Sequence, residues 1–199
     1  MNRPLRIAVA DDEPDMQDYF RTILPRLGHT VVAVAGTGRG LVEQCRATRP
    51  DLVITDIKMP DMDGIEAACQ IYRDGPMPVI LVSAYHDPEV VRRAEAEHIL
   101  AYLVKPIKQS DLEPAIAIAM RRFEQFQALH KEAVDLKQAL EDRKTIEKAK
   151  GVLMRKAGLD ETAAFRRLQK LASDKNQKLV AIARMILTAE EAYGTPEAQ

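Results

Sequence analysis

With 199 residues, 46% of them hydrophobic, and a net charge of −1, the chain can bury a core and suits one large domain or one domain with a small companion. The near-neutral total hides an asymmetry. Residues 1–120 carry 13 Lys/Arg against 18 Asp/Glu, residues 121–199 carry 16 against 12, and the stretch 143–184 holds 12 basic residues against 4 acidic ones. An acidic front and a basic back predict two jobs, the second open to a polyanion. No apolar run approaches the roughly 18 residues that a membrane-spanning helix needs, and Met1-Asn2-Arg3-Pro4 leads into a strand pattern with no signal-peptide core. Cys45 and Cys69 sit in helix-like apolar patterns without metal-ligand spacing, as free thiols of a reducing compartment do. The expected location is the cytoplasm.

In chain order, strand patterns fall at 5–10, 30–35, 52–55, 79–82 and 101–104, and helix patterns at 15–27, 38–48, 64–72, 88–97 and from 110 onward. Five strand–helix units in this order predict an α/β domain, a five-stranded parallel sheet covered on both faces. Pro25 is expected to kink or fray the last turn of the first helix. Four of the strands end in polar groups: Asp11-Asp12-Glu13 after the first, Asp56 closing the third, Ser83 after the fourth and Lys105-Pro106 after the fifth. In an open parallel sheet that edge is where ligands bind.

Each residue type there has a chemical use. Phosphoryl transfer spreads negative charge that a cation and positioned donors must neutralise. Asp11, Asp12 and Asp56 offer hard oxygen ligands suited to Mg²⁺, and Asp56 can also act as a nucleophile that forms an acyl phosphate. Ser83 can donate to a phosphoryl oxygen, and Lys105 can pair with another as a point charge. A cis Lys105-Pro106 peptide would aim the lysine into the cleft. Taken singly these residues read as a helix cap, a turn residue and a solvated lysine; the ordered set is what points to a site.

Beyond residue 110 the helix pattern does not stop. Apolar residues recur at 112, 116, 119, 123, 126, 129, 133, 136 and 140, a heptad seam with one irregularity near Phe126. No Gly or Pro interrupts it between Pro114 and Gly151. It reads either as a self-associating coiled coil or as one long amphipathic helix packed within its own chain. The remaining residues predict helices only. The long one ends near Gly158. Asp160 is expected to cap a second, with Ala164, Phe165, Leu168, Leu171 and Ala172 inward, and Asn176 a third, with Leu179, Ile182, Ala183, Ile186 and Leu187 inward. Gly194-Thr195-Pro196 is expected to end order. Across 143–156, Ile146, Ala149, Val152 and Leu153 form the inward side, Lys144, Lys148 and Arg155 an exposed stripe, and Arg143 and Lys150 its flanks. Small Ala149 and Gly151 would let a foreign backbone come close. A solvated charged face is the bland alternative.

The residues Asp11-Asp12, Asp56 with Lys58-Met59-Pro60 and Asp63-Gly64, Ser83-Ala84, Tyr102 and Lys105-Pro106 make residues 1–120 resemble a two-component receiver domain, a doubly wound, flavodoxin-like fold. The resemblance implies a phosphoacceptor, Asp56, served by a sensor histidine kinase. It implies Mg²⁺ on Asp12 and Asp56, with Asp11 close by and the backbone carbonyl of Lys58 as a further ligand. It also implies a switch in which Ser83 moves toward the phosphate and Tyr102 turns inward.

Residues 143–154, with Ala164-Phe165, Leu168, Ala172, Asn176, Leu179 and Ala183, resemble an ANTAR domain, the three-helix RNA-binding module of transcription antiterminators. The resulting organisation is a receiver at 1–120, a coiled-coil linker at 121–142 and an ANTAR-like all-α module at 143–199. The family implies that a phosphorylated regulator binds paired leader-RNA hairpins and prevents termination. The basic stripe makes Arg143, Lys144, Lys148, Lys150, Gly151 and Arg155 the expected RNA-binding residues, and the seam along 112–140 is the expected site of a phosphorylation-dependent homodimer. With Phe165 expected in the core and Tyr193 in the tail, close backbone approach around Ala149-Lys150-Gly151 is the expected way of reading bases. Three other readings stay open: a DNA-binding response regulator using Arg166, Arg167 and Lys170, an enzyme acting on a phosphorylated substrate, and a protein-binding output. No cap domain or substrate-sized insertion favours the enzyme, so the only expected chemistry is self-catalysed phosphoryl transfer to Asp56 and its hydrolysis.

Overall fold

The computed structural model describes residues 3–84 and 99–193, and the side chain of Tyr193 is not among what it describes. The helix expected at 88–97 and the tail at 194–196 lie outside the described residues. The chain divides into two compact units, Met1–Gln127 and Ala128–Gln199.

In the first unit the elements run β1 (Arg6–Ala10), α1 (Pro14–Arg26), β2 (Thr30–Ala35), α2 (Gly38–Thr48), β3 (Leu52–Asp56), α3 (Gly64–Asp74), β4 (Val79–Ser83), β5 (Ala101–Val104) and the start of α4 (Gln109–Ala157). The strands form one parallel sheet in the order β2-β1-β3-β4-β5. The strand cores are unbroken apolar runs because both faces are covered. One face packs Ala8, Ala10, Val53 and Leu81 under Leu41, Val42, Ile65 and Ile71. The other packs Ile7, Val9, Ile54 and Ile80 under Phe20, Leu24, Leu112 and Ile116. A one-residue shift in register sets Val32 between the partners of Ile7 and Ala8, a bulge on edge strand β2. Beside it the Gln44 amide donates to the Val34 carbonyl at 3.1 Å.

Local chemistry sets the helix ends. Pro25 stands one residue from the end of α1, and the chain then turns through Gly28 at φ +83°, a conformation that glycine adopts without strain. Thr37 caps α2 by accepting from the Gly40 amide, and Asp63 caps α3 by accepting from the Glu66 amide at 2.7 Å. No helix among the described residues is long and apolar enough to cross a membrane.

In the second unit the end of α4 is joined by α5 (Glu161–Asp174) and α6 (Leu179–Tyr193). Its small core is Ala149, Leu168, Ile182 and Ala183, with Ile146, Leu153, Leu171, Leu179 and Leu187 packed against it. Gly158, at φ +62°, follows α4, and Asp160 caps α5 by accepting from the Ala163 amide at 2.7 Å. Asn176 does not cap the third helix as expected. It lies at φ +48°, its amide donates to the Ser173 carbonyl and the Gln177 amide to the Ala172 carbonyl. These are the crossed bonds that close the end of α5, and the Lys178 carbonyl begins α6. A polar residue between two helices can serve either; the left-handed backbone decides for the first.

Candidate functional site

The carboxyl edge of the sheet brings together what the sequence placed there. Asp11 follows β1 and is fully buried; Asp12 and Glu13 follow it and are exposed. Asp56 ends β3 at 6% exposure. Lys105 follows β5, and its peptide to Pro106 is cis, as expected. The Lys105 ammonium lies 2.9 Å from Asp11 Oδ2, 3.1 Å from Asp56 Oδ1 and 3.1 Å from Glu13 Oε1. Asp11 Oδ1 accepts from the Glu13 amide at 3.0 Å, and Asp56 Oδ2 accepts from the Lys58 amide at 2.7 Å. Lys58 is thus tied to the acceptor through its N–H.

Three carboxylates share one ammonium, so the cluster carries surplus negative charge. Burial pushes the Asp56 carboxyl above its ordinary value, Lys105 pulls it back, and the Asp11 charge pushes it up again. Burial alone would lower the Lys105 ammonium, but the carboxylates of Asp11, Glu13 and Asp56 around it lift it above the usual lysine range. Asp11, Asp12 and Glu13 each place an oxygen within 4.8 Å of the others. Asp11 Oδ2, buried, meets Lys105 as an ion pair without an aligned hydrogen bond. Hard oxygens, excess negative charge and an acceptor without aligned donors fit a divalent cation.

Two features were missed in the sequence. In the sequence Glu13 reads only as a strand-end acid, yet it holds Lys105 across 92 residues. Gly64 is a close-approach residue: a Cβ there would collide with the Asp56 carbonyl oxygen, and one on Gly38 with the Met62 carbonyl. The Asp63-Gly64 pair after Asp56 is the available signal. Ser83 ends β4, half-buried, with its carbonyl accepting from the Lys105 amide at 2.8 Å. Tyr102 lies opposite Leu81 on β5, partly buried against the core.

On the helical unit, Arg143, Lys144, Lys148 and Arg155 are exposed, with Lys144 paired to Glu141 at 2.8 Å. Ala149 is buried, and Gly151 is half-buried. Lys150 is not an exposed flank. It is 8% exposed, its ammonium lies 2.8 Å from both Glu147 and Glu161, and it sits 5.9 Å from the Phe165 ring centre. Two carboxylates and an aromatic face offset its loss of water. Phe165 departs from expectation in the opposite sense: it is 37% exposed, while Ala164 and Leu168 on the same helix are fully buried. Helical spacing put it one position beyond the face that Ala164 and Leu168 define.

Residues 7–117 match the family model "Response regulator receiver domain" and residues 134–187 match "ANTAR domain". A transcriptional regulatory protein of Mycobacterium tuberculosis, PdtaR, is 39% identical over 194 residues, which are 98% of this chain and 93% of that one. Among solved structures, a response regulator receiver domain protein from Clostridium thermocellum shares 29% identity at TM-score 0.56, covering 61% of this chain and 98% of its own. A CheY-like receiver domain protein from Methanospirillum hungatei shares 26% at TM-score 0.57, covering 62% and 98%. With Asp56 and Lys105 at the sheet edge and both domains in this order, the chain belongs to the two-component response regulators that join a receiver to an ANTAR domain, a family of transcriptional regulators.

Proposed function

We propose that Asp56 is the phosphoacceptor of a phosphorelay whose output is the binding of RNA hairpins and the prevention of transcription termination. The observation that carries the first half is the Lys105 ammonium, 3.1 Å from Asp56 and 2.9 Å from Asp11. An Asp56 oxygen attacks the phosphorus of a kinase phosphohistidine; the P–N bond breaks and the imidazole leaves. Asp11, Asp12, Asp56 and the Lys58 carbonyl would hold Mg²⁺, which supplies positive charge against the phosphoryl oxygens. Lys105 gives up its contact with Asp56 to pair with a phosphoryl oxygen, and Ser83 donates to another. Tyr102 turning inward completes the switch.

The output half is supported by the ANTAR match and by the exposed basic stripe. Arg143, Lys144, Lys148 and Arg155 contact phosphates, which makes affinity fall with salt. Lys150 acts from within, fixing α5 against α4, and Gly151 admits close approach. Residues 121–142 serve as a coiled-coil linker through which phosphorylation favours a homodimer. Two modules then meet two hairpins and gain from effective concentration. The protein acts in the cytoplasm.

The test is RNA binding to a tandem-hairpin leader, with and without acetyl phosphate and Mg²⁺, beside Asp56→Ala. Tighter binding on phosphorylation, lost in the variant, is expected. RNA binding that ignores phosphate removes Asp56 from the switch. Arg166, Arg167 and Lys170, exposed on one side of α5, favour a second reading, duplex DNA. Competition between hairpin RNA and duplex DNA separates the two.

A further inference from the structure

Along α4 every residue from 128 to 141 is exposed. Within that stretch Leu129, Ala133, Leu136 and Leu140 follow one another at steps of 4, 3 and 4, which sets them on one face of the helix. The face ends at Leu140 for a structural reason. The next apolar residues, Ile146 and Ala149, turn into the core of the helical unit, and Asp142 pairs with Arg184 at 3.3 Å. What stays uncovered is nearly two heptads, roughly 18 Å of helix.

The two flanks of this face differ in charge. One carries His130, Lys137 and Lys144, which follow Leu129, Leu136 and Arg143. The other carries Glu132 and Ala139, which precede Ala133 and Leu140. Lys144 is engaged by Glu141 at 2.8 Å. Glu132 makes no hydrogen bond or ion pair among the described residues, and Lys137 acts on Glu141 only through its field. Glu132 and Lys137 are five residues apart, so on one helix they stand on opposite flanks and cannot meet.

Two copies of the chain can bring them together. When two such helices lie parallel and in register, the residue before one core position sits against the residue five further on in the neighbour. That sets Glu132 of each copy on the partner's Lys137, twice by symmetry. Antiparallel helices set like flank on like flank, so the basic flank would face itself.

We infer that the 129–140 face receives a second copy of this chain, parallel and in register, with Glu132 and Lys137 as the pair that fixes register and partner; the inference rests on the homodimer proposed above. Leucine at 129 and 136 suits a two-stranded seam. Ala133 leaves the middle layer thin, and a helix of this length is marginal alone. The pairing is therefore weak and reversible, and a modest bias from the receiver is enough to tip it.

The experiment uses the full chain with acetyl phosphate and Mg²⁺. Sedimentation of the wild-type protein should give two copies. Glu132→Lys and Lys137→Glu, each alone, set like charges together at both contacts and should weaken self-association by roughly five- to thirtyfold at low salt. Mixing the two variants should recover a heterodimer, and the double variant should recover a homodimer. Salt near about 1 M should shrink these differences and leave the apolar seam in place. Both positions are exposed, so the variants should fold as the wild type does. Cysteine pairing under mild oxidation reads the orientation: Leu129→Cys should cross-link with itself and not with Leu140→Cys. If the wild-type protein associates but the charge variants do so equally well, or Leu129→Cys joins only Leu140→Cys, or more than two copies assemble, the inference is wrong. The first two of these outcomes leave the homodimer reading standing. If the wild-type protein stays a single copy with and without phosphorylation, both fall.

Discussion

Two stretches of α4 share one heptad seam and meet opposite fates. Leu112, Ile116 and Ala119 are almost fully buried against the sheet, while Leu129, Leu136 and Leu140 are 67%, 65% and 53% exposed. Every residue from 128 to 141 is exposed. The apolar spacing is the same, so spacing reports which side of a helix avoids water and says nothing of what covers it. The first stretch is covered by β1, β3 and β4 of its own unit. The second is the seam that the proposed homodimer would close.

Substitution can break that comparison. Leu112→Ala should cost about 2–5 kcal/mol of receiver stability, the usual result of emptying a packed core site. Leu136→Ala should stay within about 0.5 kcal/mol in dilute, unphosphorylated protein and weaken self-association when phosphorylated. Urea unfolding paired with sedimentation checks both; equal losses at low concentration would mean the second stretch is already covered. A smaller effect separates the two units. Asp160→Ala removes the cap of α5 and should destabilise the helical unit by about 1 kcal/mol, leaving the receiver's transition unmoved. Amide exchange measured unit by unit reads this directly, and a shift in both units would show that they unfold together.

The smallest effect belongs to the receiver and to pH. His29 is 8% exposed, and its Nδ1 accepts from the Leu5 amide at 3.3 Å. Burial lowers its proton affinity below the ordinary value, and Glu113 opposes this only partly. The unfolded chain, near 6.5 by ordinary histidine behaviour, therefore binds the proton first, and stability falls as pH drops through about 6.5, levelling once the folded value is passed. His29→Gln can still accept from Leu5 and should lose less of its urea midpoint between about pH 7.5 and about pH 5.5. An unchanged slope would assign the acid loss to the carboxylates.

Much of the receiver was legible because a parallel strand buried on both faces leaves an unbroken apolar run, and its end is marked by the first polar residue. That places Asp56, Ser83 and Lys105 within a residue of where they lie. The cap at Asp160 was legible for a similar reason: one side-chain oxygen meets one amide three residues on. What escaped depends on groups far apart in the chain. Lys150 is buried because Glu147 and Glu161 reach it from two helices. Gly64 is required because the Asp56 carbonyl occupies the space of its Cβ. Phe165 sits one position from a buried neighbour, and in a small core that step decides between water and packing.

The bulge at Val32 bears on solubility. Strand β2 reads Thr-Val-Val-Ala-Val-Ala and forms an outer edge of the sheet, the kind of apolar edge that recruits other strands and seeds aggregates. The displaced residue breaks the regular spacing that an incoming strand would have to match. The Gln44 amide also occupies the Val34 carbonyl. Removing Val32 would restore a straight edge, and the price of a more regular sheet would be precipitation at concentrations the bulged protein tolerates.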